Sequence, residues 1–167
     1  MYNLKIYQHK DLSQKLLDEI IQVKSIAWPY SYEKQLNWIH SNIKNEDKHV
    51  LLYLDKSLVA YLNLIEIEFI IDGCAKNGYG IGNVCAKEKG KGWGKEIIAK
   101  TNAYLTQNEK NGLLFCKDLL VGFYKHSNWK VIEKEKLTFS IKSESVKTMI
   151  FNCNIEFQKF DYKGKPF

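Results

Sequence analysis

Apolar residues recur along this chain with two periods, one helical and one extended. Leu16, Leu17, Ile20, Ile21, Val23, Ala27 and Trp28 keep the 3.6-residue spacing that gives a helix one stripe to lay on a sheet. Asp11-Leu12-Ser13-Gln14 reads as a capping box opening that helix. Trp28-Pro29 ends it, because a residue before proline avoids the helical region. A second helix carries Tyr32, Leu36, Ile39 and Ile43 on one face. Strands are expected at residues 4–8, at 49–54 and 58–71 around a tight Asp55-Lys56-Ser57 turn, and at 79–86 after Asp72-Gly73 and a loop to Gly78. Ile97, Ile98, Thr101, Tyr104 and Leu105 stripe a helix beginning at Lys95. Beyond it the pattern predicts a strand at 113–116, a helix at 118–126, a strand with a break at 129–141 and a last long strand at 146–157. The order is β-α-α-β-β-β-α-β-α-β-β, an α/β (α+β) arrangement with no repeat or linker, so residues 1–167 are expected to form one domain.

Composition narrows the class. With 45% hydrophobic and 13% aromatic residues, 167 residues suffice for one sizeable core. Glu66, Glu68 and Asp72 interrupt the longest apolar stretch, so no membrane span is expected. Met1-Tyr2-Asn3-Leu4-Lys5 lacks the layout of a secretory signal, and a cytoplasmic location is the default expectation. Cys74, Cys85, Cys116 and Cys153 form no C-x-x-C pair and have no histidine at ligand spacing; four buried thiols in a reducing compartment are expected, and no metal. His9, His40, His49 and His126 are equally dispersed.

The net charge of +6 invites a nucleic-acid reading, but the lysines run the whole length, interleaved with 19 acidic residues. Arginine, the residue that reads guanine bidentately, is absent, so all 25 basic residues are lysine. Such a surface suits an anionic cofactor equally well.

Lys89-Gly90-Lys91-Gly92-Trp93-Gly94 lies between the strand at 79–86 and the helix that follows it. A glycine-rich turn there lets main-chain N–H groups at a helix start face an anion, and glycine allows both close approach and φ > 0. The phosphate loop G-x-x-x-x-G-K-[ST] does not fit, since Glu96 replaces the hydroxyl residue and Lys89 stands where the first glycine belongs. The dinucleotide pattern G-x-G-x-x-G fails at Ile97.

The stretch Val84-Cys85-Ala86-Lys87-Glu88-Lys89-Gly90-Lys91-Gly92-Trp93-Gly94 resembles the strand and [Q/R]-x-x-G-x-[G/A] turn of the GNAT superfamily of N-acetyltransferases, with Lys89 in place of Gln or Arg. The resemblance implies a mixed, mostly antiparallel central sheet flanked by about four helices, and acetyl-CoA as cofactor. It implies that Val84, Cys85 and Ala86 hold the pantetheine arm, and that Lys89, Gly90, Lys91, Gly92, Trp93, Gly94 and Lys95 hold the pyrophosphate. Gly122-Phe123-Tyr124-Lys125-His126-Ser127-Asn128-Trp129 resembles the family's F-Y-x-x-x-G-F segment, with Asn128 for glycine. Tyr124 then matches the tyrosine that protonates the departing thiolate, a phenol of pKa ~10 against a thiol of ~8.5. Its alternative role is packing over the cofactor.

The acceptor side is less defined. Direct transfer in a ternary complex needs no nucleophilic cysteine, and Cys85 reads as a packed side chain. Residues 79–86 carry no carboxylate, so Glu66 and Glu68 on the preceding strand are the nearest base candidates, against a preferred reading as a solvated strand face. Trp28 and Tyr30 stand where the family shapes its acceptor pocket. The long strand at 58–71, the Asp72-Gly73 turn and the tail loosely resemble aminoglycoside 2'-N-acetyltransferases, which implies that Asp161 and Phe167, with its terminal carboxylate, help hold a cationic sugar. Lys163 and Lys165 oppose such a site. The expected function is acetyl transfer to an amine of a small molecule, with no nucleic acid or membrane partner and with a homodimer left open. The alternatives are a non-catalytic coenzyme A module and an acetyltransferase of protein or peptide amines.

Overall fold

The computed structural model describes residues 1–139 and 145–167. Among them the elements are β1 (Tyr2–Gln8), α1 (Gln14–Ala27), α2 (Tyr32–Asn42), β2 (Lys48–Leu54), β3 (Ser57–Ile71), β4 (Cys74–Ala86), α3 (Trp93–Gln107), β5 (Asn111–Lys117), α4 (Val121–Lys125), β6 (Lys130–Val131), β7 (Val146–Phe151) and β8 (Phe160–Asp161). Hydrogen-bonded neighbours follow the order β1-β2-β3-β4-β5-β7-β6, with β8 on β3. The β4–β5 pair is parallel, and β1–β2, β2–β3, β3–β8, β5–β7 and β6–β7 are antiparallel. The expected mixed, mostly antiparallel sheet with four helices is therefore present. Contacts divide the chain into two compact units, Met1–Ile65 with Ile81–Thr101 and Glu66–Gly80 with Asn102–Phe167.

In the first unit, α1 and α2 cover a core of Leu17, Ile20, Ile21, Val23, Ile39, Ile43, Leu51, Tyr53, Leu58, Tyr61 and Cys85. The cap of α1 is Ser13, whose Oγ accepts from the Leu16 N–H at 3.3 Å. Asp11 instead ends a single 3-10 turn, and the extended Leu12 separates that turn from the helix, so the proposed box does not form. On α2 the buried residues are Gln35 and Ile39, followed by Ile43. Tyr32 faces solvent instead, its hydroxyl donating to Asp18 at 2.7 Å. β2 is buried over its interior, and so is β3 from Leu58 to Leu64; both runs are near-continuously apolar, as strands covered on both faces are, with His49 and Asn63 the buried polar exceptions.

In the second unit, β4 pairs with β5 through Gly78, Tyr79 and Gly80 opposite Asn111, Gly112 and Leu113. β4 begins at Cys74, so the expected loop to Gly78 is strand. Trp129 anchors the core: its Nε1–H donates to Asn102 Oδ1 at 3.1 Å, and its ring packs against Phe151 at 5.4 Å between centroids. A Cβ on Gly112 would stand 2.6 Å from that ring and 3.0 Å from Leu105. Gly112→Ala is therefore expected to destabilise the protein by about 1–3 kcal/mol, read from the urea midpoint at unchanged m-value.

Three elements are shorter than the sequence pattern predicts. The helix at 118–126 splits into a 3-10 turn, Asp118–Leu120, and the short α4. The strand at 129–141 shrinks to β6, since only Lys130 and Val131 pair with β7 and the charged run after Ile132 forms a 3-10 turn at Lys134–Lys136; residues 140 and 141 lie outside the described residues. The strand at 146–157 stops at Phe151 because Asn152 turns the chain at φ +58°, its side-chain amide donating to the Lys110 carbonyl at 3.1 Å. The tail is then fixed by Asp72, whose carboxylate accepts from the N–H groups of Gln158 (3.0 Å) and Lys159 (2.7 Å), which sets β8 beside Ile70 and Ile71. Not all thiols are buried either: Cys85 and Cys116 are, Cys153 is half-buried, and Cys74 is exposed where β4 begins.

Candidate functional site

The glycine turn belongs to the first unit. Gly90 and Gly92 sit at φ +79° and +78°, the left-handed region that L side chains rarely adopt. A Cβ at either would meet open space, so torsion rather than crowding requires glycine. α3 starts at Trp93, two residues before the expected Lys95. The first N–H to return to a carbonyl is that of Glu96, to Gly92 at 3.0 Å. The N–H groups of Trp93, Gly94 and Lys95 precede it at the positive end of the helix dipole. Buried Trp93 anchors this start, while Lys89 and Lys91 are exposed, Lys91 lying 3.9 Å from Glu88. Open space, main-chain donors and two lysine ammonium groups suit a pyrophosphate.

Upstream, β4 extends past Gly80, where its register with β5 ends, through Asn83 at φ +53°. Val84 and Ala86 are half-buried. Cys85 is buried, and burial pushes its thiol up to about 12, which removes it as a nucleophile.

Tyr124 belongs to the second unit, on α4. It is 6% exposed, with the Trp129 ring 6.2 Å and the Phe123 ring 5.0 Å away, both edge-on. Its hydroxyl makes no hydrogen bond among the described residues. Burial, with Cys116 adding to it, holds the phenol well above its usual 10, so it stays protonated throughout the physiological range. The gap between this phenol and a thiol of ~8.5 is thus wider than for a free tyrosine, and the hydroxyl carries its proton as a donor. The turn after α4 uses Asn128 at φ +64°, with Trp129 N–H reaching Tyr124 O (3.2 Å) and Asn128 N–H reaching Lys125 O (3.1 Å). Asparagine performs here the left-handed capping that glycine usually provides.

Trp28 is half-buried and Tyr30 exposed in the first unit, where Gln35 Nε2 donates to the Trp28 carbonyl at 2.7 Å. Glu66 and Glu68 are exposed on β3 in the second unit. Asp161 lies on β8 beside Ile70, and Phe167 joins the rings of Phe115 (5.2 Å) and Tyr162 (5.9 Å). The first unit contains the glycine turn, the end of β4, Trp28 and Tyr30; the second contains Tyr124, Glu66, Glu68, Asp161 and Phe167.

Sequence reasoning missed a buried polar group in the first unit. His9 Nδ1 lies 3.0 Å from His49 Nε2, and His49 Nδ1 lies 2.8 Å from the Tyr61 hydroxyl. Tyr61 has no other acceptor among the described residues, so its O–H donates to Nδ1, which leaves the His49 proton on Nε2 to donate to His9. Burial, then His9 and Lys24, drives His49 down to about 3, and it is neutral. Lys24 is 2% exposed, its Nζ 4.1 Å from the Trp38 ring centroid, and burial lowers it to about 8 against a weaker opposing effect of Cys85. It has no carboxylate partner among the described residues. Asn63, fully buried, accepts at Oδ1 from Asn83 Nδ2 at 3.1 Å, while its own Nδ2 has no partner among the described residues. An unanswered buried donor costs about 1–3 kcal/mol. The signals were present: a lysine in the apolar stripe of α1, and an asparagine within the apolar run of β3.

Among the described residues no group of three or more His, Cys, Asp or Glu could hold a metal ion, and no helix is long and apolar enough to cross a membrane.

No protein-family model matches the sequence, and no curated protein matches it by sequence. Solved structures do match. The chain is similar to ElaA of Escherichia coli at 18% identity and TM-score 0.65, over 90% of this chain and 99% of that one. It is similar to an acyl-CoA N-acyltransferase from Pseudomonas aeruginosa at 16% and 0.64, over 90% and 99%. An N-acetyltransferase from Staphylococcus aureus Mu50 matches at 17% and 0.62, over 97% of each chain. The chain has the fold of the GNAT N-acetyltransferases.

Proposed function

We propose that this protein is an acetyl-CoA-dependent N-acetyltransferase that moves an acetyl group to an amine of a small molecule by direct transfer. The observation that carries the reading is the turn from β4 into α3, where two left-handed glycines precede unpaired helix-start N–H groups in the fold these enzymes share. In this reading Val84, Cys85 and Ala86 hold the pantetheine arm through their main chain, and the run from Lys89 to Lys95 holds the pyrophosphate. Bound acetyl-CoA supplies the thioester. The amine nitrogen forms the new bond to the acyl carbon and loses its proton to solvent, the C–S bond breaks, and Tyr124, as general acid, donates its proton to the departing thiolate and regains one from solvent. Buried Cys85, its thiol held protonated, takes no part as nucleophile.

Thiol release from acetyl-CoA, followed against a panel of free amino acids, aminoglycosides, polyamines and peptides, tests the reading. Turnover with at least one amine is expected, and none with any of them sinks it. Tyr124→Phe is expected to lower kcat by about 100-fold while the coenzyme A Kd stays within about twofold. An equal loss in both would assign Tyr124 to packing. The lack of a carboxylate on residues 79–86 favours one second reading, a coenzyme A-binding module without chemistry. Calorimetric binding of coenzyme A with thiol release absent across the panel would select it.

A further inference from the structure

We propose that the first unit holds a binding site for a carboxylate-bearing amine, with Lys24 Nζ and Asn63 Nδ2 as the groups that receive the carboxylate. As a statement about the acceptor it rests on the acetyl-transfer reading; as a statement about binding it does not.

Around Tyr61, His49 and Asn63 two donors remain without an oxygen partner among the described residues. Tyr61 and His49 spend their hydrogen-bonding groups on each other and on His9. Asn63 Oδ1 is taken by Asn83. What is left is the Asn63 Nδ2–H and an ammonium group on Lys24 with no carboxylate partner among the described residues. The two belong to one neighbourhood. His49 and Asn63 are direct partners on adjacent strands, so their side chains share a sheet face. Tyr61, two residues from Asn63, shares that face and packs in the core that α1 and α2 cover. Lys24 lies in the buried stripe of α1 and acts electrostatically on both His49 and Cys85.

Cationic acceptors need hydrogen-bond acceptors and negative charge, which Lys24 Nζ and Asn63 Nδ2 do not offer. A carboxylate brings acceptor oxygens and the missing counter-charge together, and a charged pair with its hydrogen bonds satisfied is the form in which a buried lysine is tolerated. Cys85 lies on the stretch of β4 assigned to the pantetheine arm and Asn83 directly precedes that stretch, so a carboxylate held here keeps the amine of the same molecule beside that strand. Trp28, one helical turn past Lys24, opens the exposed connection to α2.

The test titrates the protein with free L-amino acids, each paired with its carboxamide, and follows the Asn63 side-chain amide and the Lys24 Cε resonance by NMR. Saturable shifts with at least one free amino acid, and a Kd at least tenfold weaker for its carboxamide, are expected. Lys24→Met is expected to erase that tenfold preference while leaving coenzyme A affinity unchanged, and Asn63→Leu serves as the second variant should Lys24→Met misfold. Equal binding of carboxamides, an unaltered preference in the variants, or no shift with any amino acid (a buried water alone on Asn63) overturns the site. Binding without thiol release upholds the site and refutes the transfer reading; thiol release with amines that lack a carboxylate, at undiminished KM, upholds transfer and refutes the site.

Discussion

Valine at Gly92 is expected to weaken coenzyme A binding by at least about 100-fold while the fold survives. Gly92 holds φ +78°, and no atom lies within 4 Å of where a Cβ would be. The penalty therefore falls on the backbone, where a β-branched residue in the left-handed region costs on the order of 1–3 kcal/mol. The turn relieves it by swinging to negative φ, which re-aims the N–H groups of Trp93 and Gly94 and adds a branched side chain in the space the anion needs. Since the turn is exposed apart from Trp93 and Gly94, the core is untouched and the thermal midpoint should move by only a few degrees. Calorimetry with coenzyme A against wild type decides the matter. Unchanged affinity would show that the pyrophosphate binds elsewhere. Gly90→Val, at φ +79°, should follow the same pattern.

A second large effect is expected from pH. His49 is fully buried, and its pKa falls from 6.5 to about 3 on folding. Below pH 6.5 the unfolded chain takes up a proton that the folded chain refuses until about 3, so stability falls as pH drops across that window. The full loss amounts to about 4–5 kcal/mol at ~1.4 kcal/mol per unit, a large part of a typical 5–15 kcal/mol. His9, also lowered by burial and by His40 against the opposing pull of Asp47, acts in the same direction. Lys24, lowered from 10.5 to about 8, adds stability as pH rises through that higher window, because the unfolded amine stays charged while the folded one is released from its charge. Urea midpoints measured from pH 7.5 to 4 should therefore decline steeply. The double variant His49→Leu/Tyr61→Phe, which removes that buried pair together and leaves only half-buried His9 without its partner, should lose most of that slope. A double variant as acid-labile as wild type would place the effect elsewhere.

Most elements, their order along the chain and the glycine turn were legible because each is written in local pattern: apolar runs, a 3.6-residue stripe, and glycines at the β4–α3 junction; the sheet type came from the resemblance to the GNAT superfamily. Asn128 was readable as a left-handed substitute for glycine for the same reason. The misplacements have a common cause. β7 stops at Phe151 and the tail returns at Phe160 through bonds between Asn152 and Lys110, and between Asp72 and Gln158, partners far apart in the sequence. Nothing around residues 146–157 announces that turn. The buried polar group was hidden likewise. Separately, His9, His49 and Tyr61 look like scattered polar and aromatic residues; only the β1–β2 and β2–β3 registers bring them into one chain of hydrogen bonds. Lys24 stood in plain sight in the α1 stripe, but long lysines at stripe edges usually extend to water, so position alone did not show that this one stays inside.

The fastening of the tail by Asp72 carries a consequence for how the chain is made. Asp72 leaves the ribosome well before its partners Gln158 and Lys159, which follow 86 and 87 residues later. At roughly 5–20 residues per second, that interval is about 4–17 s. Throughout it the β8-facing margin of Ile70 and Ile71, apolar and unpaired, is open to any neighbouring nascent strand. Translation speed between the codons for Asp72 and Lys159, and the attention of chaperones during that interval, should govern how much of this protein reaches the cell in usable form.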